Sequence, residues 1–360
     1  MKPVFLTPGP SELYFTVEDH IKQALRENAC SISHRSKAFE SYYKTAVDNV
    51  RTLLNVPESY HIVFTASATE VWERLIQNCV EYQTYHLVNG SFSKRFYEFS
   101  ALLGKNALNL EKPLGHGFEL NEIDVHSETE MICITQNETS TGVSVPVEDI
   151  YKIREKYPDC LIAVDAVSSV PYVDIDINKI DSLFFSVQKG MGMPAGLGVW
   201  IFNERCVAKA HNLEEKQQLI GTYHSIPSLL EKAVKNQTPE TPNVLGIYVL
   251  GKVCEDMLRK GIDVIRMETN YKAALINLLY KDHPMFSHAV DVESHRSKTV
   301  LVADVKGMSA SDLIEKMKEH GIVIGSGYGK NKATQIRIAN FPTHSKEIFE
   351  KLVDVINERK

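Results

Sequence analysis

Short apolar runs alternate with amphipathic stretches over most of this chain. Between residues 60 and 202, the runs 60–64, 85–88, 131–135, 161–164, 182–186 and 197–202 each read as a strand. The stretches 70–80, 94–103 and 147–156 carry the apolar spacing of helices. Runs that are apolar along their whole length, with helices between them, predict a mostly parallel sheet of the seven-stranded type covered on both faces. Helical patterning also occupies 17–28 and 36–54. Residues 1–15, with Pro3, Pro8, Gly9 and Pro10, are expected to form an irregular arm. The style changes after about residue 240. A long helical pattern over 243–280 is followed by strand 299–304, helix 309–320, strands 322–324 and 335–338, and a closing helix 345–358. That order predicts a small α+β domain after an α/β one. The expected division is an arm at 1–15, a large domain at 16–245 and a small C-terminal domain at 246–360.

Composition narrows the function. Hydrophobic residues make up 43% and charged residues 24% of the 360, as in ordinary globular proteins. The net charge of −6 argues against a nucleic-acid partner, which a basic surface would serve. No apolar stretch reaches 18 residues and the first residues lack a signal-peptide core, so no membrane association is expected. The six cysteines are scattered without a Cys-x-x-Cys pair, the usage of a reduced, cytoplasmic protein. No histidine spacing resembles a metal site, and no metal is expected.

In a parallel sheet, ligands bind at the carboxyl ends of the strands. The polar segments 65–69, 90–93, 136–139, 165–169 and 188–189 each follow an apolar run, so five strand ends converge on one cleft. Two of them carry a specific chemistry. Lys189 lies between an apolar run and a segment holding Gly190, Gly192, Gly196 and Gly198. Asp165 ends an earlier run. A lysine could form an imine with pyridoxal phosphate, and an acid could hold the pyridine nitrogen protonated. Each also has a plainer explanation: aspartates at strand ends cap turns, and most lysines are solvated. Ser67, Ala68 and Thr69 open a helix whose free N–H groups could hold the cofactor phosphate, or Ser67 could simply be its N-cap. Phe92 could stack on a pyridine ring or be a core phenylalanine. Thr139 could bond the ring hydroxyl or belong to turn chemistry. Arg337, in the apolar run Gln335–Ala339, calls for an anionic partner: a substrate carboxylate or an internal acid.

Six segments together resemble class V, fold-type I pyridoxal-phosphate aminotransferases, in the phosphoserine and alanine/serine–glyoxylate branch. They are Thr7-Pro-Gly-Pro, Ser33-His-Arg-Ser-Lys-Ala-Phe, Asn137-Glu-Thr-Ser-Thr-Gly, Val164-Asp-Ala-Val-Ser-Ser, Ser186-Val-Gln-Lys and Arg337-Ile-Ala-Asn, in the family's order. The resemblance implies Lys189 as the imine-forming lysine and Asp165 as the pyridinium partner. It implies Gln188, Ser67, Ala68 and Thr69 at the phosphate, and Phe92 where the branch usually carries Trp. It also implies a homodimer with active sites at the interface, where Thr241 of Glu240-Thr-Pro would reach the neighbouring phosphate. Glu240 departs from the family's Asn, and an acid there would repel a phosphate. For substrate, it implies Arg337 at the α-carboxylate and His34 and Arg35 at the side-chain phosphate or carboxylate. Lys330 and Lys332 stand where the phosphoserine enzymes carry His-Arg, and Thr69-Glu70 where they carry an arginine loop. The implied reaction is transamination of O-phospho-L-serine with 2-oxoglutarate in serine synthesis; the alternative is an alanine– or serine–glyoxylate transaminase. Gln188 in place of His, and no cysteine after Cys254, disfavour a desulfurase. Lys189 and Asp165 together disfavour a non-catalytic binding protein.

Overall fold

A computed structural model describes residues 2–358. Seven strands form the main sheet, in the order Tyr60–Thr65, Gly198–Asn203, Ser182–Ser186, Leu161–Asp165, Met131–Thr135, Gln83–Val88 and Asn106–Glu111. Only Gly198–Asn203 runs against the others; the remaining pairings are parallel. The central strands Leu161–Asp165 and Met131–Thr135 are buried at every residue, which is why their sequence shows no polar alternation. The edge strand Asn106–Glu111 is half-exposed, and its mixed Asn-Ala-Leu-Asn-Leu-Glu sequence gives no comparable signal.

A second sheet of five strands has the order Val4–Leu6, Ile322–Ser326, Gln335–Ala339, Val300–Val305 and Phe286–His288. The arm expected to be irregular therefore contains a strand, which pairs in parallel with Ile322–Ser326. Its prolines and glycine follow the strand instead of interrupting it. The expected long helix over 243–280 is two, Val244–Lys260 and Ile262–Asp282, parted at Gly261, whose φ of 91° breaks the helix. Val244–Lys260 buries Ile247, Leu250 and Val253 in the core under the main sheet. The next helix starts in that core at Ile265 and ends in the second one with Ile276 and Tyr280. Helices Glu204–Glu215 and Ile226–Ala233 complete the cover of the opposite face. Ser36, Ser67, Asn203, Asn243, Ser309 and Ser345 each start a helix with a side chain accepting a backbone N–H. No helix among the described residues is long and apolar enough to cross a membrane.

Candidate active site

The five strand ends open into one cavity of about 210 Å³. Ala68, Thr69, Phe92, Thr139, Asp165, Gln188, Lys189 and Arg337 line it, with Pro8–Pro10, Trp72 and Tyr328.

Lys189 is 7% exposed. Its ammonium donates to Thr139 Oγ1 at 2.9 Å and lies 5.1 Å from the Phe92 ring centroid. Burial pulls its pKa down to about 8, against the opposing pull of Asp165 and Glu138. A chain of hydroxyls backs the contact: Thr139 donates to Ser168 Oγ at 2.9 Å, and Ser168 donates to Asn137 O at 2.9 Å. The arm packs against the lysine stem. A Cβ on Gly9, whose φ is 139°, would meet Lys189 Cε at 2.8 Å.

Asp165 is 3% exposed. Its carboxylate accepts from Trp72 Nε1 at 2.9 Å and from the Val167 amide at 3.0 Å. Burial raises its pKa to about 6, and those two donors limit the rise. Beside it, Thr135 pairs with Asp165 in register; Thr135 lines the cavity, and its buried hydroxyl has no hydrogen-bond partner among the described residues.

Ser67 is the N-cap of Ala68–Cys79, accepting from the Glu70 amide at 3.2 Å, and does not itself line the cavity. The Ala68 amide donates to Ser186 Oγ at 2.7 Å, while the Thr69 amide has no partner among the described residues. The helix start is thus capped by Ser67 and leaves the Thr69 amide unpaired among the described residues.

Arg337 has no acidic partner among the described residues. Nε donates to Ser326 O at 2.7 Å and Nη1 to Thr139 O at 3.1 Å, with the guanidinium 5.3 Å from the Tyr328 ring centroid. Nη2 makes no hydrogen bond among the described residues. Burial lowers the pKa of this arginine.

His34, Arg35 and Thr241 lie outside this cavity. Arg35 instead donates to Gln237 Oε1 at 3.0 Å, Thr238 O at 2.6 Å and Pro239 O at 3.1 Å, bracing the chain just before Glu240 and Thr241. Lys330 and Lys332 are exposed on the turn after Tyr328 and do not line the cavity either. The expected repulsion by Glu240 is offset within the chain, because its carboxylate pairs with His224 at 3.1 Å.

Four contributors escaped the sequence. Trp72 reads as a core aromatic, and only the fold turns its indole N–H toward Asp165. Glu138 is fully buried and accepts from the amides of Phe92, Ser93 and Ser140 and from two serine hydroxyls, anchoring the helix that presents Phe92. Its signal was an acid inside a Thr/Ser turn. Tyr328 sits between Phe92, at 5.5 Å, and Arg337. Ser168 links Thr139 to the strand behind it.

The family model "Aminotransferase class-V" matches residues 117–339. The structure resembles a phosphoserine aminotransferase SerC from Cytophaga hutchinsonii, with 54% identity, 99% of each chain covered and a TM-score of 0.98. A phosphoserine aminotransferase from Corynebacterium glutamicum is 26% identical, over 97% of this chain and 92% of the relative. An alanine–glyoxylate aminotransferase from Nostoc sp. shares the fold at 20% identity, 99% and 95% coverage and a TM-score of 0.84.

Proposed function

The chain belongs to the class-V aminotransferase family and is an aminotransferase, and we propose that it is a pyridoxal-phosphate enzyme acting on O-phospho-L-serine and 2-oxoglutarate. The products are 3-phosphohydroxypyruvate and L-glutamate, which places the enzyme in serine synthesis. The observation that carries this reading is the 54% identity, over 99% of both chains, with the Cytophaga hutchinsonii phosphoserine aminotransferase.

The residues fit the cofactor. Asp165 is a buried carboxylate held only by N–H donors, suited to a protonated ring nitrogen. Thr135 offers an unpartnered hydroxyl beside it. Thr69 offers a free amide at a helix N-terminus for a phosphate, and Phe92 an aromatic face. When bound, pyridoxal phosphate supplies the electron-accepting ring to which the substrate's amino group and Cα electrons pass. The chain supplies the rest. Burial draws the Lys189 pKa down to about 8, so near neutral pH a fraction of it is free amine able to take the Cα proton and return it. Thr139 holds that amine in place. Arg337 points its unused Nη2 at a carboxylate while two carbonyls fix the guanidinium.

His34, Arg35 and Thr241 gather away from their own cavity, which supports a homodimer in which they serve the site of a second copy, with Lys330 and Lys332 as point charges at its rim. Free thiols at all six cysteines accord with the cytoplasm. A second reading, an alanine– or serine–glyoxylate transaminase, draws on one fact: apart from Lys189, Arg337 is the sole cation lining the cavity among the described residues. Comparing kcat/KM for phosphoserine, serine and alanine separates the two. A tenfold preference for alanine with glyoxylate would rule out the phosphoserine assignment. Lys189→Ala should abolish multiple turnover; normal turnover in that variant would remove the lysine from the mechanism.

A further inference from the structure

Two acids crowd the start of the helix Ala68–Cys79. Glu70 follows Thr69 directly, and its Oε2 accepts the Ala66 amide at 2.9 Å, in the turn that leads into the helix. Glu240 precedes Thr241. Facing a phosphate, two bare carboxylates would oppose binding. Between them stands His224, which is 3% exposed. Its Nδ1 hydrogen-bonds Glu70 Oε1, and its Nε2 lies 3.1 Å from Glu240 Oε2. One imidazole thus ties the helix start, the 222–225 loop and the 237–241 segment together. Arg35 pins that last segment from its other side, and Arg74 Nε lies 3.6 Å from Glu70 Oε1. A neutral imidazole could donate to only one of the acids and would turn an unprotonated ring nitrogen toward the other carboxylate.

We propose that His224, as an imidazolium, is a positioning residue of the cofactor-phosphate site, neutralising Glu70 and Glu240 and holding both carboxylates away from the phosphate. This rests on the pyridoxal-phosphate reading above. His224 acts through the two acids and does not touch the cofactor. Burial opposes its charge, but its close approach to Glu240 and its hydrogen bond to Glu70 outweigh that and raise its pKa to about 9. The charged groups around the ring are Glu70 and Arg74 from the helix and Glu240 from the pinned segment, with His34 within the electrostatic reach of Glu240. Because the folded-state pKa lies above the ordinary 6.5, the stability this pair of contacts contributes is complete below about pH 6.5 and is lost as pH rises through about 9.

The test is titration of the apoprotein with pyridoxal phosphate and, separately, with pyridoxal, which lacks the phosphate, followed by cofactor absorbance. His224→Asn is expected to weaken pyridoxal phosphate at least tenfold and pyridoxal by less than twofold. Equal losses for both, or no loss for either, overturn the assignment. A second arm needs no histidine variant. In the wild type, the ratio of the two affinities should fall as pH passes about 9. In Glu70→Gln/Glu240→Gln, with no carboxylates to neutralise, that fall should vanish; its persistence overturns the proposal. A wild-type protein that takes up neither compound overturns the cofactor reading, and the role of His224 with it.

Discussion

Glu138→Gln is close to isosteric and removes only a charge and an acceptor, so it isolates what a buried carboxylate does beneath the helix that presents Phe92. Oε2 accepts from the Ser93 amide at 2.8 Å, Ser93 Oγ at 2.9 Å and the Phe92 amide at 3.2 Å. Oε1 accepts from the Ser140 amide at 3.0 Å and Ser140 Oγ at 2.7 Å. An amide must put its NH₂ group where one of those oxygens was, against at least two donors. The less damaging choice is the Oε1 end, yet Ser140 Oγ already accepts from the Ser91 amide at 2.9 Å and has little freedom to turn. Losing two hydrogen bonds to a charged acceptor, at about 1.5–3 kcal/mol each, gives a destabilisation of about 3–6 kcal/mol. The favourable meeting of a carboxylate with the N-terminus of Ser91–Leu102 is lost as well. Urea unfolding of wild type and variant measures this directly. Because Phe92 lies in the first turn of that helix, pyridoxal-phosphate affinity should also fall, by roughly the 0.5–1.5 kcal/mol of a ring stack. A stability loss under about 1 kcal/mol would show that the donors around Glu138 re-pair, and would refute the reasoning.

Three further outcomes are expected. Trp72→Phe removes a donor that limits the rise in the Asp165 pKa, so the acid limb of kcat/KM, governed by a group raised to about 6, should move to higher pH; an unmoved limb counts against Asp165 as the titrating group. Arg337→Lys keeps the charge but loses the fork that bonds Ser326 O and Thr139 O and leaves Nη2 over for the proposed substrate carboxylate, so kcat/KM for the amino donor should fall at least about tenfold, chiefly through KM. Gly9→Ala strains a φ of 139° and drives a Cβ to 2.8 Å from Lys189 Cε, so the arm must shift and turnover should drop; full activity would mean that the arm is not packed on the lysine during catalysis.

How legible was the site? The residues read from strand ends were well placed, because a strand end in a parallel sheet has one place to go. Asp165, Lys189, Thr139 and Phe92 all reach the cavity. What the sequence could not carry were partners supplied sideways. Trp72 looks like any apolar helix residue until the helix docks and its N–H meets Asp165. Glu138 looks like a turn acid until the helix start at Ser91 settles over it. Arg337 could have met an internal acid; only the register of its strand, opposite Val302 and Gly325, shows carbonyls there instead.

Local patterning therefore determined the main elements, the parallel character of the main sheet and the placing of Lys189 and Asp165 at strand ends that reach one cavity, since periodicity and strand-end position are properties of short segments. It failed for Val4–Leu6 and Asn106–Glu111, which exist because a neighbouring strand offers hydrogen bonds and not because their own sequence asks for them. It also left Glu240 as an apparent conflict. Tertiary structure pairs that acid with His224, which stands between it and Glu70. Whether a charge is tolerated depends on which charges lie within a few ångströms, and that is decided by folding.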